Sequence, residues 1–416
     1  MTAGAVLTRR EGESYMTEGT AVASRTRAFV AEHVLATDDE FDGDIEAAGG
    51  EVLRRRLQGL AREAGLLSPH APVDCGGLGL NMTERAAVFE EAGYSLFGPV
   101  ALNINPPDEG NVHLLAQVAT AGQRERYLRP LVTGVARSAF AMTEPAPGAG
   151  ADPSALRSAA VKVDGGWLIN GHKWFITGAD GAGFYIVVAR TSGSPGDAGG
   201  ATMFLVSAER QGVAVVRHVP TVDRSMLGGH CELTFTDVFA ADDEVLGEVN
   251  EGLRYAQVRL GPARMTHVMR WTGAARRAHE TAVRYVTARQ AFGSRLADMG
   301  MVQQMIADNE IDLAATRALL TQACQELDAG SRASKATSIA KTFAAEALNR
   351  VADRAAQMCG GSGVSRDLPI AKIVRELRPF RIYDGPSEVH RWAIARRAVR
   401  ETAAHAGTEV AAAAQQ

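Results

Sequence analysis

The sequence predicts an α+β chain in which an antiparallel β-barrel separates two helical blocks. Three observations carry that reading. Apolar residues keep helical spacing in the first third of the chain and again in its last part. Between those blocks they alternate with polar residues in short runs. Turn pairs such as Asp164-Gly165 and Asn170-Gly171 punctuate the alternating stretch as hairpin turns do. The β part forms one block, which predicts an N-terminal helical domain over 21–139, a middle barrel over 140–248 and a C-terminal four-helix bundle over 249–403. A loose leader (1–20) and a flexible tail (404–416) flank them.

Taken in order, Phe29, Val30 and Val34 open one helix, and Leu53, Leu57, Leu60 and Ala61 stripe another before the Gly65 break. Pro72 to Gly79 is a loop by composition, followed by a helix from Thr83 to about Tyr94. Pro106 and Pro107 make a sharp turn over 105–111, with helical segments around 112–118 and 123–131. Val161 and Val163, then Trp167 and Ile169, then Trp174 and Ile176 read as three strands joined by the two turn pairs, and four further short strands follow up to Phe235. Val302, Met305, Leu313, Leu320 and Leu327 keep helical spacing, as do Ile339, Phe343, Leu348, Val351 and Met358.

Composition narrows the function. With 416 residues the chain can bury a large core, and a net charge of -4 with scattered Lys and Arg argues against nucleic acid as a partner. No apolar run approaches the ~20 residues of a membrane span, and the first residues lack the apolar core of a secretory signal. Cys75, Cys231, Cys324 and Cys359 lie far apart without a C-x-x-C pair, so neither a disulfide framework nor a zinc site is expected. A reduced bacterial cytoplasm fits both the cysteines and the Ala- and Arg-rich composition.

The chemistry concentrates in five stretches. Arg381-Ile-Tyr-Asp-Gly-Pro-Ser-Glu-Val-His-Arg391 sets Asp384 before a Gly-Pro turn at the foot of a helix. Asp384 reads either as an ordinary turn aspartate or as a base facing a ligand bound there. Phe140-Ala-Met-Thr-Glu-Pro145 with Gly148-Ala-Gly-Ala-Asp152 is a Gly-rich loop whose backbone donors can hold an anion or a ring carbonyl. In Asn170-Gly-His-Lys-Trp-Phe-Ile-Thr-Gly178, strict alternation would point Trp174 and Ile176 one way and Thr177 the other. An indole and a short hydroxyl there suit a flavin; packing of Trp174 in a core is the plainer alternative. Arg289-Gln-Ala-Phe-Gly293 ends a long helix with a phosphate-pairing Arg and a stacking Phe292, and Gln357-Met-Cys-Gly-Gly-Ser-Gly363 ends another with glycines that admit a ligand to the backbone.

The five stretches in this order resemble the acyl-CoA dehydrogenase family, over about residues 25–400. The resemblance implies a helical domain, a β-barrel and a four-helix bundle in a homodimer or homotetramer, with FAD bound non-covalently. It also implies oxidation of the Cα–Cβ bond of an acyl-CoA and an electron-transferring flavoprotein as acceptor. By position, Phe140, Met142, Thr143, Trp174, Ile176 and Thr177 would bind the flavin. Arg289, Phe292, Gln357, Gly360 and Gly361 would reach the FAD of a neighbouring subunit, and Pro386 and Glu388 would contact FAD just after the base. Ala151, Arg264, Gly385 and Arg396 would face the substrate. The thioester carbonyl would take hydrogen bonds from the backbone of the catalytic carboxylate and from FAD. Asp384 stands where most members have Glu, and burial against flavin and acyl chain would raise its pKa. Asp384-Gly-Pro, Pro107-Asp-Glu-Gly-Asn111, Arg259-Leu-Gly-Pro-Ala-Arg264 and His230-Cys-Glu232 are similar to the branch of the mammalian members numbered ten and eleven. A carrier-protein thioester, or a nitroalkane-oxidase-like reaction that returns electrons to oxygen, are the alternatives that keep this fold.

Overall fold

In the computed structural model the backbone is described for residues 18–413 and the side chains for 18–403. The expected leader lies almost wholly outside them. Four main helices build the N-terminal block: Glu18–His33, Gly50–Glu63, Met82–Gly93 and Asp108–Val118. Met82–Gly93 starts cleanly because Asn81 accepts from the Glu84 N–H while the Glu84 side chain accepts from the Asn81 N–H, satisfying two orphan donors at once. The Asp108–Val118 helix begins inside the expected 105–111 turn, with two carboxylates in its first turn favoured by the helix dipole.

The middle block is one eight-stranded sheet: β1 Ser138–Ala141, β2 Ala159–Val163, β3 Gly166–Thr177, β4 Phe184–Arg190, β5 Ala201–Ser207, β6 Val213–His218, β7 His230–Ala241 and β8 Val245–Leu246. The strands run in the order β6-β7-β3-β2-β4-β5-β8, with β1 added on β4. The sheet curls, since Trp167 of β3 packs on Phe204 of β5 and Tyr185 of β4 on Phe235 of β7 around a shared core. It is not purely antiparallel as expected, because β1 and β2 both meet β4 in parallel.

Two local expectations are corrected. Asp164-Gly165 does turn the chain between β2 and β3. Asn170-Gly171 does not; it lies inside β3, at a register shift against β7. Asn170 exchanges hydrogen bonds of 2.9 Å with Asp237 across the ladder, so its side chain serves the sheet instead of a turn. Gly171 is needed because a Cβ there would lie 2.2 Å from Ser158 Oγ.

Four long helices form the C-terminal bundle: Gly252–Ala288, Gly300–Asp328, Ser334–Cys359 and Ser387–Ala413, with the shorter Ile370–Leu377 between the last two. The last helix continues to Ala413, so the tail expected to be flexible is helical in backbone over most of its length. One apolar core joins both helical blocks, so the site they share rests on a single rigid support. The Met82–Gly93 and Gly252–Ala288 helices approach very closely. A Cβ at Gly93 would lie 2.1 Å from the Arg270 carbonyl, and one at Gly273 would lie 2.0 Å from that of Glu90. That crossing fixes the height of Arg270, and with it His267 one turn earlier. All four cysteines are free and buried, and no described helix is long and apolar enough to cross a membrane.

Candidate active site

A cavity of about 2140 Å³ opens where the three blocks meet. The sheet lines it with Phe140, Trp174, Phe175 and Thr177, the loop after β1 with Met142 and Thr143, and the bundle with Arg259, Arg264, His267, Asp384, Gly385 and Pro386. Ala151 and Arg396 also line it, both on exposed ground. Ile176 does not. Phe175 takes a positive φ of 51° at a bulge in β3, which breaks the alternation. Trp174, Phe175 and Thr177 therefore share the cavity face, while Ile176 is buried in the sheet core.

The two flavin-type stretches are clamped together by a pair that sequence reasoning missed. Lys173 is fully buried and spends its three protons on Glu144 Oε1 (2.8 Å), the Met142 carbonyl (3.0 Å) and the Val188 carbonyl (2.7 Å). Glu144 also accepts from the backbone N–H groups of Arg157 and Ser158. Burial works against the charge on Glu144, but Lys173 and these donors outweigh it and hold the carboxyl at about 2. A lysine and a glutamate inside otherwise buried stretches were the available signal.

Thr177 is the head of a second relay. Its Oγ1 lies 2.9 Å from His230 Nδ1, and His230 Nε2 lies 2.8 Å from Asp223 Oδ2. In the neutral imidazole the Nε2 proton faces Asp223, so Nδ1 accepts and the Thr177 hydroxyl donates to it. A Thr177 lone pair is thus left for the cavity.

Asp384 has a φ of 53°, a left-handed conformation that Asp tolerates better than most residues. Three donors pin the turn. Arg264 Nε (2.9 Å) and His390 Nε2 (3.2 Å) reach the Asp384 carbonyl, and Lys341 Nζ (2.7 Å) reaches the Gly385 carbonyl. Arg264 therefore holds the backbone of the expected base. Asp384 Oδ2 sits 3.2 Å from His267 Nε2. The expected rise in the Asp384 pKa is not seen. Burial does push it upward, but His267, Arg259 and Arg264 outweigh burial and hold the carboxyl well below its usual range.

Arg259 is held by the branch motif at 107–111. It donates to Asn111 Oδ1 (2.8 Å) and the Pro107 carbonyl (3.3 Å), and its guanidinium lies 4.3 Å from the centre of the Phe140 ring. One motif thus steadies both a cation near Asp384 and a wall of the cavity.

Gly385 has a φ of 95°, and a Cβ there would lie 2.8 Å from His390 Nε2. Gly385→Ala is expected to cost about 1–3 kcal/mol and to lower activity by moving Asp384. A lowered melting temperature checks the first effect and steady-state turnover the second.

Arg289, Phe292, Gln357, Gly360, Gly361 and Glu388 are exposed and do not line this cavity within one chain. Phe292 is 97 % exposed on the turn of a two-residue ladder, at a φ of 51°.

Models of the acyl-CoA dehydrogenase N-terminal, middle and C-terminal domains match residues 17–135, 139–238 and 250–399. The chain is 36% identical over 388 residues to "Probable acyl-CoA dehydrogenase FadE2" of Mycobacterium tuberculosis, covering 90% of this chain and 94% of that protein. It is 32% identical over 400 residues to acyl-CoA dehydrogenase family member 11 of Mus musculus, covering 92% of this chain and 51% of that longer protein. The butyryl-CoA dehydrogenase structure of Megasphaera elsdenii superposes with a TM-score of 0.82 at 26% identity, over 93% of this chain and 100% of that one.

The cofactor is FAD, and the residues fit it. Trp174 and Phe175 offer aromatic surface to a flat ring, Thr143 and Thr177 offer hydroxyls at its edge, and Phe140 is steadied by Arg259. Because the match runs through all three blocks and the cavity between them, the chain belongs to the acyl-CoA dehydrogenase family of FAD-dependent oxidoreductases.

Proposed function

We propose that this protein dehydrogenates the Cα–Cβ bond of an acyl-CoA thioester, with Asp384 as the base that takes the Cα proton. The observation that carries this reading is a carboxylate on a strained turn that faces the same cavity as the Thr143–Trp174–Thr177 wall, with neighbours that lower its pKa. A base must be unprotonated to act, and the cations around Asp384 ensure that. FAD, when bound, supplies the acceptor for the hydride that leaves Cβ.

The residues divide the remaining tasks. Arg264, His390 and Lys341 hold the Asp384–Gly385 backbone, so the carboxylate projects from a fixed main chain. Among the described residues nothing accepts from the Asp384 N–H, which suits it to donate to a thioester carbonyl as charge builds there. Arg254, Arg332, Lys335, Arg396, Arg397 and Arg400 line the same cavity and favour an anionic handle such as the phosphates of CoA. A neighbouring subunit would complete the cofactor site through Arg289, Phe292, Gln357, Gly360 and Gly361, which the single chain leaves exposed. An electron-transferring flavoprotein is the proposed acceptor.

The test is anaerobic addition of short, medium, long, branched and hydroxylated acyl-CoAs to the purified yellow protein. Bleaching of the flavin absorbance by one class is expected and names the substrate. Bleaching by none of them, with FAD bound, would move the assignment to a carrier-protein thioester or a nitroalkane.

A further inference from the structure

His267 is a buried imidazole with no part in the proton and hydride transfer, and partners meet it on both ring nitrogens. Its ring clusters with Tyr383, at a centroid distance of 4.8 Å, and with Phe380, at 6.2 Å, and those two rings are 5.6 Å from each other. On its Nδ1 side, Arg270 Nη2 approaches to 2.9 Å. A guanidinium only donates, so Nδ1 must be the bare, accepting nitrogen and the ring proton must sit on Nε2. Nε2 lies 3.2 Å from Asp384 Oδ2.

Arg270 is itself fixed. It donates to the Ile104 carbonyl at 2.8 Å and faces Glu109, whose Oε2 accepts from Thr266. Glu109 belongs to the 107–111 motif, so this stretch reaches the expected base twice, through Arg259 and through Arg270. The charged and titratable groups facing the His267–Asp384 pair are Arg259, Arg264 and Arg270 on the long helix, Glu109 across from it, and Lys341, Tyr383 and His390 on the other side. Burial and Arg270 both lower the His267 pKa, Asp384 and Glu109 oppose them, and the imidazole stays neutral.

We propose that His267 is a positioning residue for the reaction, a neutral imidazole that caps Oδ2 of Asp384 and leaves Oδ1 as the oxygen that receives the substrate proton. This rests on Asp384 being the base. Oδ2 is the buried oxygen and has no well-formed hydrogen bond among the described residues, whereas the side chain as a whole is 19% exposed. The remaining exposure leaves Oδ1 on the cavity side. The 3.2 Å contact is long for a charge-assisted bond, and such contacts commonly tighten once substrate closes the site.

The experiment compares His267→Leu, His267→Gln and Asp384→Asn over a pH series with the best thioester of the panel. Removing the Nε2 donor raises the Asp384 pKa, so the acid limb of kcat/KM should move to higher pH by about one to two units in His267→Leu. His267→Gln restores an N–H donor and should return the limb towards the parent position. A uniform loss at every pH with the limb unmoved would show a merely structural role and overturn the proposal, while an inactive Asp384→Asn would leave the assignment of Asp384 as base standing. Turnover retained by Asp384→Asn would instead overturn the base assignment itself. Should His267→Leu fail to fold, nitrogen NMR of the parent protein with labelled histidine, assigned against His267→Gln, decides it. A single Nε2 proton at neutral pH is expected, and a proton on Nδ1 would end the proposal.

Discussion

Asp384→Asn should lose dehydrogenation by about 10³–10⁴-fold while remaining a folded, yellow protein. Asn is nearly isosteric and is among the few residues that tolerate a φ of 53°, so the turn survives. Arg264 and His390 bond the main-chain carbonyl, which the substitution leaves in place. What goes is the charge and the second acceptor oxygen. Arg259, Arg264 and Lys341 then face a neutral amide, so thioesters should still bind but the Cα proton has no acceptor. The measurement is single-turnover bleaching of the flavin by the best acyl-CoA, with binding followed separately through the perturbation of its spectrum. An Asp384→Asn protein that bleaches within tenfold of the parent rate would remove Asp384 from the role of base. The low pKa also fixes the sign of the pH dependence. Asp384 is lowered in the folded chain, so the form needed for catalysis persists from neutral pH down past the ordinary carboxylate range.

The sequence carried the architecture because period and punctuation agreed across long stretches. Leu53, Leu57 and Ala61 fall in one apolar core, and so do Leu313, Leu320, Leu348 and Val351. Asp164-Gly165 turned the chain because Gly165 takes the positive φ of 71° that a tight hairpin turn needs. Asn170-Gly171 misled because Asn170 bonds Asp237 on the partner strand, a contact 67 residues away that no local rule can see. The facing of Ile176 failed for a related reason, since a bulge at Phe175 shifts the alternation by one residue. At the site, a resemblance in motif order found Asp384 and the residues beside the cavity. It did not find what tunes them. His267 is ordinary in sequence, and its meaning arises only where Arg264, His267 and Arg270 recur every third residue on one helix face and meet Asp384 and Glu109. The direction of the Asp384 pKa was misjudged for the same reason. Burial was legible; the two guanidiniums, Arg259 and Arg264, and the His267 imidazole that outweigh it come from the distant Gly252–Ala288 helix and no local pattern announces them.

Lys173→Met should be the most destabilising single change considered. Lys173 and Glu144 are 0% and 3% exposed, and removing one partner of such a pair leaves a buried charge without compensation, at a cost of about 3–5 kcal/mol. Methionine fills the space, so the loss is electrostatic and not a cavity effect. Three things come loose together: the Met142 carbonyl beside Thr143, the Val188 carbonyl of β4 and the Glu144 carboxylate that ties the Arg157–Ser158 backbone. Because Trp174 N–H bonds the Thr143 carbonyl at 3.1 Å, the disturbance reaches the flavin wall directly. The expected result is a lower melting temperature together with FAD lost on gel filtration, and a fully yellow Lys173→Met protein with unchanged melting would contradict it. Acid sharpens the contrast. Glu144 is depressed in the fold from 4.5 to about 2, so its contribution is present above pH 4.5 and fades as pH falls through that window. Burial lowers Lys173 from 10.5 to about 8 in spite of Glu144, so both groups remain charged at neutral pH. The double variant Glu144→Gln, Lys173→Met removes both charges and should recover part of the lost stability. Its melting temperature should also fall less steeply than the parent's between pH 4.5 and 2, because the group that titrates there is gone.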